Sequence, residues 1–236
     1  MSIKIIIPAR LNSSRLPRKI MRRIGNITLL EHIVNRAKKL KYTNLIVATD
    51  NNEVKNLVHS LDIECWYSSR KFDNGTHRIG YFTKIKKFNT TDIIINIQAD
   101  EYNFSLSGVE KLINYLSKKS SHSVATLIYK DSNKKNYNNP NIVKAIVDNK
   151  NNALYFTRQK SPFSSSNNFY THIGIYGYKI NALKKYSELE RSNYENNEKL
   201  EQLRYIWNNI PIHCILLPIN KSVSINTIDD LNSLKR

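Results

Sequence analysis

Residues 5–19 read "IIIPARLNSSRLPRK". An apolar run stops at Ala9 and gives way to a loop with Arg10, Arg15, Arg18 and Lys19 and no glycine. An apolar strand ending in a cationic loop suits a parallel sheet, because α/β folds bind ligands beyond the carboxyl ends of their strands. The glycine-rich phosphate loops GxxxxGK[ST] and GxGxxG are absent. An anion here must be held mainly by charged side chains, with a few backbone N–H groups. Arg10, Arg15 and Lys19 are spaced so that a curled loop brings them together on a triphosphate. A solvated basic loop capping the sheet is the plainer alternative.

Outward from this stretch the hydrophobic period alternates. "IKIIIPA" (3–9) reads as a strand, and "TLLEHIVNRAKKL" (28–40) as a helix with Leu29, Leu30, Ile33, Val34, Ala37 and Leu40 on one face. Thr28 and Glu31 fit a capping box. "NLIVATD" (44–50) and "ECWYS" (64–68) read as strands around a helix with Val54, Leu57, Val58 and Leu61 inside. "THRIGYFTKIKKF" (76–88) reads as a helix weakened by Gly80. "DIIINIQAD" (92–100) is a strand apolar enough to be covered on both faces. "SGVEKLINYLSKK" (107–119) is a helix with a second box at Ser107 and Glu110, and "SVATLIY" (123–129) follows as a strand.

This alternation predicts an α/β fold with a doubly wound, mostly parallel sheet. Beyond it, "KDSNKKNYNNPN" (130–141) reads as a long polar loop. "IVKAIVD" and "ALYFTR" flank "NKNN" as an antiparallel hairpin. "SSSNN" (164–168) reads as a flexible loop and "THIGIYGYKI" (171–180) as another strand. "NEKLEQLRYIWNN" (197–209) reads as an amphipathic helix, and "VSINTIDDLNSLKR" (223–236) as a strand entering a last helix.

At 236 residues the chain suits a single domain, 1–236. Its net charge of +18 is spread among asparagines and isoleucines, as AT-rich coding would produce, and no basic stripe points to nucleic acid. No apolar run spans a bilayer, and "MSIKIIIPAR" is not a signal peptide, so no membrane partner is expected. Cys65 and Cys214 form no cluster and read as reduced thiols of a cytoplasmic protein.

Asp100 closes the buried strand, where a carboxylate can reach a ligand crevice and hold Mg²⁺ beside phosphate oxygens. Capping of the next loop by Asp100 and Glu101 is the alternative. Alternation along 172–178 puts His172, Gly174, Tyr176 and Tyr178 on one face. Glu198, Glu201 and Gln202 share one side of the expected helix, which a solvated face would also explain.

"IIIPARLNSSRLPRK" resembles the N-terminal signature of the 3-deoxy-manno-octulosonate (Kdo) cytidylyltransferases. "NGTHRI", "INIQADE", "ALYFTR", and "HIGIYGY" with "LEQLR" continue the match in order over nearly the whole chain. The resemblance implies a Rossmann-like nucleotidyltransferase domain with an antiparallel sugar-binding and dimerisation insertion at about 140–180. It implies CMP transfer from CTP to Kdo for lipopolysaccharide synthesis, with Mg²⁺ as cofactor, in a homodimer. By resemblance Arg10, Arg15 and Lys19 match triphosphate-holding positions, and with Asp100 they form the catalytic set. Ser13, Ser14, Gly75, Thr76, Arg78 and Gln98 match nucleotide-side positions. Arg158, His172, Tyr176, Glu201 and Gln202 match sugar-contacting positions. Asp100 and Asn226 match the metal ligands.

Several positions depart from the family pattern. Asn226 stands in "SINT" where an aspartate of "VDT" is usual, which removes one negative unit from the metal site. "RLPRK" puts Arg18 where "RLPGK" has glycine, which would crowd or over-charge the loop. "QADEY" replaces "QGDEP", and His77 in "NGTHR" replaces an acid. "SSSNN" lacks the arginine of "SRATIPW". A different 2-keto-3-deoxy acid, or a catalytically impaired or nucleic-acid-binding homologue, stays open as an alternative.

Overall fold

The computed structural model describes residues 1–13, 15–42, 44–118, 122–163, 168–218 and 222–234. Nine strands form one mixed sheet. In chain order they are β1 (Ile3–Ala9), β2 (Asn44–Thr49), β3 (Glu64–Tyr67), β4 (Ile93–Ile97), β5 (Val124–Asp131), β6 (Lys144–Val147), β7 (Ala153–Thr157), β8 (Phe169–Lys179) and β9 (Ile212–Leu217). The helices are α1 (Leu29–Ala37), α2 (Asn52–Ser60), α3 (Gly75–Ile85), α4 (Leu106–Lys118), α5 (Lys134–Asn138), α6 (Ile180–Tyr186), α7 (Asn193–Glu198), α8 (Leu203–Trp207) and α9 (Ile228–Ser233).

β3, β2, β1 and β4 run parallel in that order, with Ile5 opposite Leu45 on one side and Ile95 on the other. β1 alternates between two cores. Ile5 and Ile7 join a layer with α1, α2 and α4, whereas Ile6 packs with Ile79 and Phe82 of α3 and with Leu183 of α6. Both faces are covered, which is why the run is continuously apolar. Each of these fully buried isoleucines contributes about 2 kcal/mol through its transfer from water.

The antiparallel half begins at β8, which lies beside β4 and also pairs with β5 and β6. The strands that fall within the insertion implied at about 140–180 belong to this same sheet, and β6 and β7 form the expected hairpin. A register shift against β5 between Ile173 and Tyr176 marks an irregularity in β8.

Local chemistry explains most element boundaries. The Thr28–Glu31 capping box forms as read, and another at Thr227 and Asp230 opens α9. The α4 box does not form: Ser105 Oγ accepts from Gly108 N instead, two residues earlier than expected. α3 runs unbroken through Gly80. A Cβ there would fall 2.7 Å from the Leu183 carbonyl oxygen, so glycine lets α3 and α6 approach closely. Residues 130–141 are not wholly loop, because Asn133 caps the short α5.

The single helix expected over 197–209 is two. Lys199 adopts φ +53° and ends α7, and α8 starts only at Leu203. Glu198, Glu201 and Gln202 therefore do not share a helix side. The expected flexible loop at 164–168 lies outside the described residues except for Asn168.

Candidate active site

β1 is flanked by β4 on one side and β2 on the other, so the strand order reverses there and a crevice opens beyond the strand ends. The Arg10–Lys19 loop leaves β1 at this crevice, and Gln98 and Asp100 leave β4 beside it. A cavity of about 730 Å³ follows, bordered by Arg10, Arg15, Gln98 and Asp100 on one wall. A neighbouring hollow of about 600 Å³ shares those four residues and adds Ser13, Arg18 and Lys19.

The loop cations meet acceptors across the crevice. Lys19 Nζ lies 2.5 Å from Asp100 Oδ2. Arg15 donates through Nη1 to Asn141 Oδ1 at 2.5 Å and through Nη2 to Asn226 Oδ1 at 2.9 Å. Arg10 is exposed and lines both hollows. Arg18 adopts φ +55°, a conformation glycine would accept freely, and its guanidinium pairs with Glu53 of α2 at 2.5 Å. Ser14 lies outside the described residues.

Two chain segments carry the expected metal donors to one place. Ile225 N donates to the Asp100 carbonyl at 3.0 Å, and the strand pair Glu101–Tyr102 with Val223–Ser224 continues the contact. Asp100 and Asn226 consequently border the same cavity. The donor set is one carboxylate and one amide oxygen, each now facing a cation. That set fits a magnesium ion that takes its remaining ligands from phosphate and water. Among the described residues no three His, Cys, Asp or Glu side chains gather into a metal cage.

On the nucleotide side Gly75 borders the cavity at the start of α3. Arg78 is buried, donates to Asp50 Oδ2 at 2.6 Å, and lies 5.3 Å from the Phe72 ring centroid. Its Nη1 has no partner among the described residues. Thr76 is buried and does not border the cavity, and its hydroxyl donates to Glu201 Oε1 at 2.8 Å beside the Tyr178 hydroxyl. Thr76 thereby helps to hold Glu201 in place.

The opposite wall carries Arg158, His172, Tyr176, Glu201 and Gln202. Arg158 donates through Nε to the Glu198 carbonyl and through Nη1 to the Pro140 carbonyl. Burial first, and then the nearby Arg15, push its pKa down, so the two guanidinium groups share one field. Glu201 accepts from Thr76 and Gln98, and burial raises its pKa against those bonds and the pull of Arg10. Gln202 is buried, and its Nε2 has no partner among the described residues.

His172 has an assigned tautomer. The Thr126 hydroxyl has one proton and donates it to the Ile175 carbonyl at 2.8 Å. The 2.9 Å contact with His172 is therefore Nε2–H donating to Thr126 Oγ1. Nδ1 is left as an acceptor, and burial lowers the ring's pKa to about 3, so it is neutral.

Sequence reasoning missed Asn141, Asp50 and Thr126, which hold Arg15, Arg78 and His172, and it gave Glu198 no contact with Arg158. None sits in a motif, and each partner is 28 or more residues distant in sequence.

A parallel sheet with a cationic loop and a carboxylate at its switch point, facing a polar wall, defines a nucleotidyltransferase-type site. The family model for cytidylyltransferases matches residues 4–214, and the chain belongs to that family. A 3-deoxy-manno-octulosonate cytidylyltransferase of Francisella tularensis subsp. novicida is 33% identical over 244 residues, covering 100% of this chain and 98% of that one. One from Actinobacillus pleuropneumoniae serotype 7 is 32% identical, covering 100% and 99%. A solved CMP:2-keto-3-deoxy-manno-octonic acid synthetase complexed with CTP superposes with a TM-score of 0.89 at 28% identity, covering 100% of this chain and 97% of that one.

Proposed function

We infer that this enzyme transfers CMP from CTP to 3-deoxy-manno-octulosonate, giving CMP-Kdo and pyrophosphate for lipopolysaccharide synthesis. The observation that carries the reading is the single cavity joining the cationic loop and Asp100 to Arg158, His172, Tyr176 and Glu201. The names of the full-length relatives, and CTP in the similar synthetase structure, support it.

In this reading the anomeric hydroxyl attacks the α-phosphorus of CTP. A bond forms from that oxygen to phosphorus, the bond to the pyrophosphate oxygen breaks, and the hydroxyl proton is released. Arg10, Arg15 and Lys19 neutralise the charge on the leaving group in a partly water-excluded crevice. Arg15 then exchanges two neutral amide oxygens for phosphate oxygens. Arg158 faces the sugar carboxylate, with Nη2 unpartnered among the described residues. His172 Nδ1 accepts from a sugar hydroxyl, and Glu201 does the same from a fixed position. Asp100 and Asn226 would hold Mg²⁺, which when bound neutralises charge on the transferring phosphate.

The reading includes a homodimer in the cytoplasm. Exposed Leu154, Tyr194 and Trp207 support the dimer, with the Tyr194 ring 6.1 Å from Tyr155 and 5.9 Å from Trp207. Both cysteines are free thiols, and among the described residues no helix is long and apolar enough to cross a membrane.

Pyrophosphate release from CTP and Mg²⁺ with a panel of sugar acids tests the function. Release that depends on Kdo is expected. Release with another 2-keto-3-deoxy acid alone would replace the substrate, and silence with every acid would overturn the reading.

A further inference from the structure

Glu101 stands where both walls of the cavity meet, and the reaction described above does not use it. Its side chain borders the cavity but is only 4% exposed, and no cation pairs with it among the described residues. Three neutral donors hold the carboxylate instead. Ser224 Oγ donates to Oε1 at 2.5 Å, Gly174 N to the same oxygen at 3.1 Å, and Ser222 Oγ to Oε2 at 2.7 Å. A Cβ at Gly174 would fall 2.7 Å from Oε1, so glycine is what lets the strand come this close.

A desolvated carboxylate without a cation is costly, and packing alone would be served better by an apolar side chain. Its donors show what it joins. Ser222 and Ser224 lie just before Asn226, and Gly174 lies in β8 between His172 and Tyr176. Glu101 itself follows Asp100, and its backbone N donates to the Gln98 carbonyl at 3.1 Å. One side chain thus ties together the exit of β4, the segment carrying Asn226 and the strand of the sugar wall.

We propose that Glu101 is a positioning residue whose three hydrogen bonds set the separation of Asp100 from Asn226, and of both from His172 and Tyr176. The proposal rests on the reading of Asp100 and Asn226 as the metal-holding pair. Glu101→Gln keeps the volume and one acceptor oxygen for Gly174 N and Ser224, but turns an NH₂ group toward Ser222 Oγ, which must then accept instead of donating. Ser224→Ala removes one bond and leaves Glu101 in place.

The test uses the full-length protein, CTP and Mg²⁺. The Mg²⁺ concentration giving half of the CTP-induced thermal shift should rise about tenfold in Glu101→Gln, as for outer partners of metal ligands. It should rise about threefold in Ser224→Ala, the milder variant that carries the test should Glu101→Gln not fold. KM for Kdo should rise with it, while CTP binding in EDTA stays within twofold. The double variant should fall short of the sum of the two single effects, because both act on one hydrogen-bonded group.

A lowered Tm with Mg²⁺ response and Kdo KM both within twofold of wild type would overturn the proposal, as would additive effects. Asp100→Asn is the control. If it leaves the Mg²⁺ response unchanged, the metal reading fails and the proposal with it. If it shifts the response and the Glu101 and Ser224 variants do not, the positioning role alone fails.

Discussion

The two walls of the cavity are built by opposite means. The wall proposed to hold the nucleotide carries its exposed charge on a loop: Arg10 and Arg15 are exposed, and Lys19 reaches Asp100 just past the end of β4. The wall proposed to hold the sugar is less exposed and held by fixed hydrogen bonds and packing, with His172 bonded to Thr126, Tyr176 stacked over Tyr178 at 5.9 Å, and Glu201 fixed by Thr76. Exposed cations can follow a triphosphate as it changes charge and shape. Fixed, desolvated polar groups discriminate between sugar acids, because a wrong hydroxyl leaves a buried partner unpaired. Substitutions on the first wall should change rate and metal response, and those on the second should change the choice of acid.

The largest effect should come from Asp100→Asn. Removing the carboxylate leaves Lys19 without its ion pair and, on the proposed metal reading, the crevice without its anionic donor, so kcat should fall about 10³-fold with the fold intact by circular dichroism. Pyrophosphate release measures this, and loss within tenfold would break the assignment.

Arg158→Lys should act on the other wall. A lysine cannot reproduce the guanidinium fork, so KM for Kdo should rise roughly 30-fold while KM for CTP changes less than threefold. Equal rises in both would mean that the walls are not separate.

A smaller change is expected from Asn226→Asp, which restores the missing negative unit. The Mg²⁺ concentration for half-maximal rate should fall about fivefold. No change would mean that Asn226 serves Arg15 alone.

The smallest effect is a pH dependence of stability. Burial lowers the His172 pKa from 6.5 to about 3, so between those values the unfolded chain binds a proton that the folded protein refuses. Stability should fall as pH drops through this window, by about 1.4 kcal/mol per unit from this group, and be indifferent to it above. His172→Gln should flatten urea-denaturation stability between pH 6 and pH 5 by about that amount, and an unchanged slope would show a solvated imidazole.

The contrast also explains what could be read from the sequence. The parallel half was legible because its signals are local: the alternating faces of β1, the Thr28–Glu31 box, and the unbroken apolar run into Asp100. The cationic loop was legible for the same reason. The sugar wall was harder, because its groups are set by contacts 40 to 125 residues apart, such as Thr126 with His172 and Thr76 with Glu201. Propensity also failed at Lys199, where a positive φ splits an apparently continuous helix. Periodicity cannot show such a break when the residue is neither glycine nor proline. Glu101 looked like a loop cap because its three donors lie 73 to 123 residues away.

The most direct measurement of the central claim is a crystal structure of the enzyme with CTP and Mg²⁺. The triphosphate should lie between Arg10, Arg15, Lys19 and Asp100, with Lys19 drawn from Asp100 to phosphate and the ribose side open to Arg158 and His172. A triphosphate bound elsewhere, with the Lys19–Asp100 pair intact and the crevice empty, would contradict it.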